Sequence, residues 1–259
     1  MKNGKFIYEM ILTPNDSFLN ENHPLPPGVE MKLSFDRLAS QYSCIAVGSD
    51  DELKGKVLEL KDVFAQVEYI SSPLLRSYFD RRDIEPITYN YDELSVLCRS
   101  VPVQENYVRL DNIKGGNTPD FAFFGLIKSS TLNGSLESSS TTFKNNGLRE
   151  VNLTLNGNSC NGFPVRIQND HPIWAYNKFF TTIGRLMDQN AAAQMRMSTF
   201  KNMVIYSHKF EGDDASQGWL GLTLAFSDTL TQQHTLAIWT VQNVRVTIDR
   251  YNQIEKFDL

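Results

Sequence analysis

The sequence predicts an all-β, antiparallel fold, and three observations carry that prediction. The first is the C-terminus, which closes on three strand-like runs, GWLGLTLAFSDTL (218–230), HTLAIWTV (234–241) and VRVTID (244–249). Successive side chains of a strand point to opposite faces, so Leu220, Leu222, Leu224 and Phe226 form one apolar face, with Gly221, Thr223 and Ala225 on the other. In the last run Val244, Val246 and Ile248 alternate with Arg245, Thr247 and Asp249, as in a sheet with one face on a core and one in water. The second is the density of further strand candidates along the chain. The third is turn chemistry: Asn133-Gly134, Asn146-Gly147, Asn156-Gly157 and Asn161-Gly162 are pairs that tolerate positive φ and close tight turns.

Taken in order, the candidates are FIYEMIL (6–12), VEMKLSF (29–35), YSCIAV (42–47), VLELKDVFAQVEYI (57–70) and ITYNY (87–91), then LSVLCRSV (94–101), YVRLDNI (107–113), FAFFGLI (121–127), REVNLTLN (149–156) and FPVRI (163–167). The strictest alternation is that of Val29, Met31, Leu33 and Phe35 against Glu30, Lys32 and Ser34. Two short helices interrupt the sheet. Ser72 can cap one that has Pro73 at its first position and Leu74, Leu75, Tyr78 and Phe79 along one side. The other begins near Asp170 and Pro172, where Ile173, Tyr176, Phe180, Ile183 and Met187 recur at helical spacing. The serine-rich stretch LNGSLESSSTT (132–142) reads as an exposed loop. Gly28 with GVEMKLSFDRL and YSCIAV echoes Gly218 with GWLGLTLAFSDTL and HTLAIWTV, which hints at an internal duplication.

Composition narrows the function classes. The 259 residues suffice for one large or two modest cores, and 41% apolar and 21% charged residues are ordinary globular values. A net charge of -5 offers no basic field for a polyphosphate backbone, so direct nucleic-acid binding is not expected. Arg76, Arg81 and Arg82 beside Asp80 and Asp83 read as a solvated helix face. Cys44, Cys98 and Cys160 are spaced for neither a disulfide framework nor a zinc site and are expected to stay reduced inside. No apolar run is long enough to span a membrane, and MKNGKFIYEM lacks the apolar core of a signal peptide, so synthesis in the cytosol is expected.

A search for chemistry finds no catalytic, cofactor or metal residues to nominate. His23, His171, His208 and His234 are scattered, with no second ligand type at metal-site spacing. The acidic clusters SDDE (49–52) and EGDD (211–214) do not follow the twelve-residue calcium loop and read as soluble loop tips. Gly115-Gly116 lacks the Lys-Ser or Lys-Thr pair of a phosphate loop and reads as a turn. Trp174, Trp219 and Trp239 raise a sugar-stacking platform, but their helix and strand surroundings favour packing.

Several segments in order resemble the major capsid (hexon-like) proteins of Polinton or Maverick elements and adintoviruses. They are LPPGVEMKLSFDRL (25–38), VLELKDVFAQVEYISS (57–72), FAFFGLI (121–127), GLREVNLTLNGNSCNGFPV (147–165), WAYNKFFTTIGRL (174–186), GWLGLTLAFSDTL and VRVTID. The likeness extends over nearly the whole chain, and the ordered set carries it rather than any one piece. It implies a viral jelly-roll sandwich of the double jelly-roll lineage, with the first roll incomplete: residues 1–50 its closing strands, residues 51–259 a second roll.

The resemblance further implies a homotrimeric, pseudo-hexagonal capsomer in a virion capsid. Its partners would be other copies of the chain, neighbouring capsomers and penton or minor capsid proteins. It implies no enzymatic residues and no cofactor. Loops around 129–145 and 207–217 would project from the tops of the rolls. The rival readings are a carbohydrate- or ligand-binding β-sandwich and a cupin-type jelly-roll enzyme; the histidine spacing opposes the second.

Overall fold

The computed structural model describes residues 18, 24–34, 59, 61–81, 85–132, 142–167, 172–184, 195–201, 203–210 and 217–258. The chain forms two compact units, one of Met1–Met31, Glu68–Glu93 and Asn243–Leu259, and a larger one of Lys32–Val67 and Leu94–Gln242. In chain order the described elements are helix α1 (Pro73–Asp80), strands β1 (Ile87–Val101), β2 (Tyr107–Asn117) and β3 (Phe121–Lys128), and helix α2 (Ser129–Leu132). Then come β4 (Leu148–Leu155), β5 (Asn158–Ser159), β6 (Val165–Arg166), helices α3 (Ile173–Thr182) and α4 (Met197–Phe200), β7 (Tyr206–Lys209), β8 (Gln217–Phe226), β9 (His234–Ile248) and β10 (Ile254–Asp258).

These strands make two five-stranded sheets. One has the order β1-β9-β3-β7, with β10 also on β9, and the other β2-β8-β4-β5, with β6 also on β4. Setting aside β5 and β10, odd strands lie in one sheet and even strands in the other, so the chain crosses between sheets at each step from β1 to β4 and from β6 to β9. The late strands β8 and β9 are inserted between the early ones. That winding is a jelly-roll, built of antiparallel ladders throughout.

Both sheets of the larger unit contribute to one core. Leu220, Leu222, Leu224 and Phe226 of β8 are buried to 2%, 2%, 0% and 1% exposure, as their alternation requires. They cluster with Val108 of β2 and Val151, Leu153 and Leu155 of β4, and with Phe124 and Leu126 of β3 and Leu236 and Ile238 of β9 from the opposing sheet. Burying each such side chain contributes about 1.5–3 kcal/mol. Small residues on the outward face of β8 let its neighbours close in. An added Cβ at Gly221 would stand 2.7 Å from Thr154 Oγ1 and 3.3 Å from the Leu110 carbonyl oxygen. Tyr206 of β7 stacks on Phe124 at 5.3 Å and donates a 2.6 Å hydrogen bond to Asn145 Oδ1. Helix α3 covers this region through Ala175, with Trp174, Tyr176 and Phe179 partly buried against the same core.

In the smaller unit Ile87 and Tyr89 at the start of β1 pack with Ile248 of β9 and Phe79 of α1. The Tyr89 hydroxyl donates to the Pro24 carbonyl at 2.9 Å, which satisfies its one polar atom inside the cluster. Ser72 caps α1 by accepting from the Leu74 N–H at 3.3 Å, with Pro73 at the first helical position.

Of the expected turns, Asn146-Gly147, Asn156-Gly157 and Asn161-Gly162 are present and Asn133-Gly134 lies outside the described residues; several expected strands are present too. Asn156 and Gly157 both have positive φ, 52° and 84°, and form the two-residue hairpin loop closed by the Leu155–Asn158 pair. Other expectations are corrected. Runs 87–91 and 94–101 are one strand, as are 234–241 and 244–249 up to Ile248, the polar residues between them lying within the strands. Residues 29–34 and 61–70 form no strand; runs 6–12 and 42–47 and Phe35 lie outside the described residues, which leaves the internal echo without a first half. Residues 207–209, expected in a loop, belong to β7, and residues 129–132 form α2; 133–141 and 211–216 lie outside the described residues. Helix α3 ends at Thr182, with Ile173 exposed, and Met187 lies outside the described residues.

Candidate functional site

The structure scatters the residues that could carry chemistry. His208 on β7 and His234 on β9 are buried, and among the described residues no three His, Cys, Asp or Glu side chains are grouped to hold a metal. His23, His171, Cys44 and both acidic clusters lie outside the described residues. Cys160 is half-buried, but Cys98 is exposed, a correction to its expected burial: β1 stands at the end of its sheet order, and residues 98–100 have water on both faces. Arg76 on α1 and Arg81 at its C-cap are exposed, as a solvated face requires, while Arg82 and Asp83 lie outside the described residues.

His234 has a perturbed titration. Its Nδ1 lies 2.8 Å from the Gln232 carbonyl, which assigns that nitrogen the proton, and its buried Nε2 has no hydrogen-bond partner. Burial holds its pKa below the ordinary 6.5; the cross-strand neighbour Lys128 acts in the same direction and the Gln232 carbonyl opposes both. A group that resists protonation only when folded stabilises the fold above its unfolded pKa, and that stability is lost as pH falls. The thermal midpoint should therefore drop as pH is lowered through 6.5 towards about 5, above the main carboxylate range. His234→Gln should flatten that part of a calorimetric pH series.

Apolar exposure is the more unusual property. The segment 63–70 lies outside every ladder, yet Val63, Phe64, Tyr69 and Ile70 are 80%, 86%, 92% and 68% exposed. Helix α1 continues it: Leu75 packs on the small core and Phe79 is buried, but Leu74 and Tyr78 face water. On β1, Leu94 and Val96 are also exposed. Runs of large apolar side chains in water are unusual for a chain that stays alone and mark interaction surfaces. A sheet strand is expected over 57–70, and residues 61–70 form none. The missed signal is that Val63-Phe64 and Tyr69-Ile70 are adjacent apolar pairs, which no strand with one wet face accommodates.

The tryptophans divide. Trp239 packs edge-on against Phe143 at 5.4 Å, and Trp174 packs on the main core, as expected. Trp219 does not: it lies on the outer face of β8, 38% exposed, in register with Gly115 of β2. It borders an open depression of about 610 Å³ that Asp111, Asn112 and Asn156 also line. Two extra residues in β2 between Leu110 and Lys114, opposite Leu222 and Leu220, create this feature. The bulge puts Asn112 at φ 55° and carries Asp111 and Asn112 to the rim.

No protein-family model matches this sequence, and neither does any curated protein. Among solved structures, the mavirus major capsid protein aligns with 67% of this chain and 42% of its own, at a TM-score of 0.38 and 9% identity. The present chain thus spans less than half of that protein.

Proposed function

We propose that this chain is a shell-building subunit, a major capsid protein of a Polinton-like or adintovirus-like DNA virus that assembles into trimeric, pseudo-hexagonal capsomers. The observation that carries the reading is a jelly-roll whose chain leaves Val63, Phe64, Tyr69 and Ile70 uncovered. The ordered sequence resemblance is consistent with it. Such a subunit works by interface burial. Obligate contacts commonly remove about 2,000 Å² or more from water and are rich in aromatic residues. Its function is spread over surfaces, with no catalytic centre or cofactor. Residues 51–259 supply one roll in this reading, residues 1–50 the closing strands of another, and the assembled protein resides in the virion capsid, against neighbouring capsomers and penton or minor capsid proteins.

Light scattering on the purified chain tests the proposal. The expected result is a particle of three times the 29.5 kDa chain mass that persists on dilution. A monomer at every soluble concentration would overturn it.

A further inference from the structure

The geometry points to a binding site for neutral saccharides on the outer face of the even-numbered sheet, at the depression beside Trp219. This site goes beyond the shell reading and does not depend on it. An aromatic ring, side-chain amides and a carboxylate meet there, and each has a reason for its place. The benzo half of the indole is held over two glycines: an added Cβ would stand 3.7 Å from Cη2 at Gly157 and 3.8 Å from Cζ3 at Gly221. No side chain at either position covers the ring, and 38% of the residue remains in water. The weakly polar C–H face of a pyranose is a natural cover for an exposed indole face.

The amides flank the ring. Asn156 Oδ1 accepts the Trp219 backbone N–H at 3.0 Å, which fixes the side chain and leaves its NH₂ group as a donor. Asn112 is held at φ 55° by the bulge. Glycines make room for both, since a Cβ at Gly218 would lie 2.8 Å from Asn156 Oδ1 and one at Gly115 would lie 3.2 Å from Asn112 Oδ1. Asp111 Oδ1 accepts from Arg109 Nε at 2.9 Å, so its second oxygen is left as an acceptor. Donors and acceptors beside an aromatic plane are what vicinal hydroxyl groups need. The depression, about 610 Å³, is open to solvent, so a ligand there would lie along the sheet face. Charge decides the subclass. Among the described residues Asp111 is the only ionisable one lining the depression, and it is already ion-paired with Arg109 at 2.9 Å, so the described lining offers a sialylated or sulfated sugar no cation of its own.

The test applies the full chain to immobilised neutral, sialylated and sulfated oligosaccharides. Each retained neutral oligosaccharide is then titrated while the indole N–H signals of the three tryptophans are followed by NMR. Neutral oligosaccharides should be retained, and one indole signal, absent from Trp219→Leu, should move. That variant should bind at least about tenfold more weakly, 1.4 kcal/mol at 25 °C, with its thermal midpoint and oligomeric state unchanged. Asn112→Gly, which keeps the positive φ while removing the amide, should weaken binding several-fold and serves if Trp219→Leu fails to fold. Retention of no neutral oligosaccharide, retention of acidic ones only, or undiminished binding by both variants would overturn the site. So would loss of assembly by a folded Trp219→Leu, which would make Trp219 a contact between subunits.

Discussion

Phe226→Ala should lower the unfolding free energy by about 3–5 kcal/mol, the usual cost of removing a fully buried phenylalanine ring. Phe226 is 1% exposed at the end of β8, the strand between β2 and β4. Its backbone is fixed on both sides, by an N–H bond to the Asn106 carbonyl at 2.8 Å and by pairing with Leu148, so the site cannot collapse easily around the lost ring. A domain stable by about 5–15 kcal/mol would lose a large share of its margin. Urea titration should show a lower midpoint with an unchanged slope. Thr223→Ala, on the opposite face of the same strand, should cost about 1 kcal/mol or less. Equal losses in the two variants would mean that the inner face of β8 is not what the fold depends on.

The paired substitution Phe64→Asp, Tyr69→Asp should abolish self-association while leaving the fold intact. Both side chains are almost wholly in water in the single chain, at 86% and 92% exposure, so neither loses folded-state packing. At an interface each would contribute about 1.5–3 kcal/mol. Their joint removal is then about 3–6 kcal/mol, or roughly two to four decades in the association constant at 1.4 kcal/mol per decade. Two introduced carboxylates in each copy add repulsion and desolvation cost to the same contact. Light scattering should read a monomer with the circular dichroism and melting temperature of the parent. Trimers that persist in this variant would place the subunit contact elsewhere.

The two surfaces were unequally legible. The position of Trp219 could have been read from alternation, because it falls in register with Gly221, Thr223 and Ala225 and out of register with Leu220, Leu222, Leu224 and Phe226. What alternation could not provide was the bulge that brings Asp111 and Asn112 to its rim. That depends on how many residues β2 spends opposite two of β8, a property of two strands paired more than a hundred positions apart. Segment 63–70 was hidden for a different reason. Its composition has the β propensity of a strand, but propensity describes how residues fit a sheet that is already there, and no ladder in this structure receives it.

By itself the sequence determined the all-β class, the inner face of β8, the Asn156-Gly157 turn and the Ser72 cap, all of which follow from side-chain periodicity and backbone sterics over a few neighbouring residues. Tertiary structure alone decided that strands 87–101 and 234–248 are each continuous, that β8 and β9 lie between strands formed much earlier in the chain, and which apolar residues remain in water. Those outcomes are set by competition among distant segments for a limited inner surface, and local pattern carries no record of which segment is left outside.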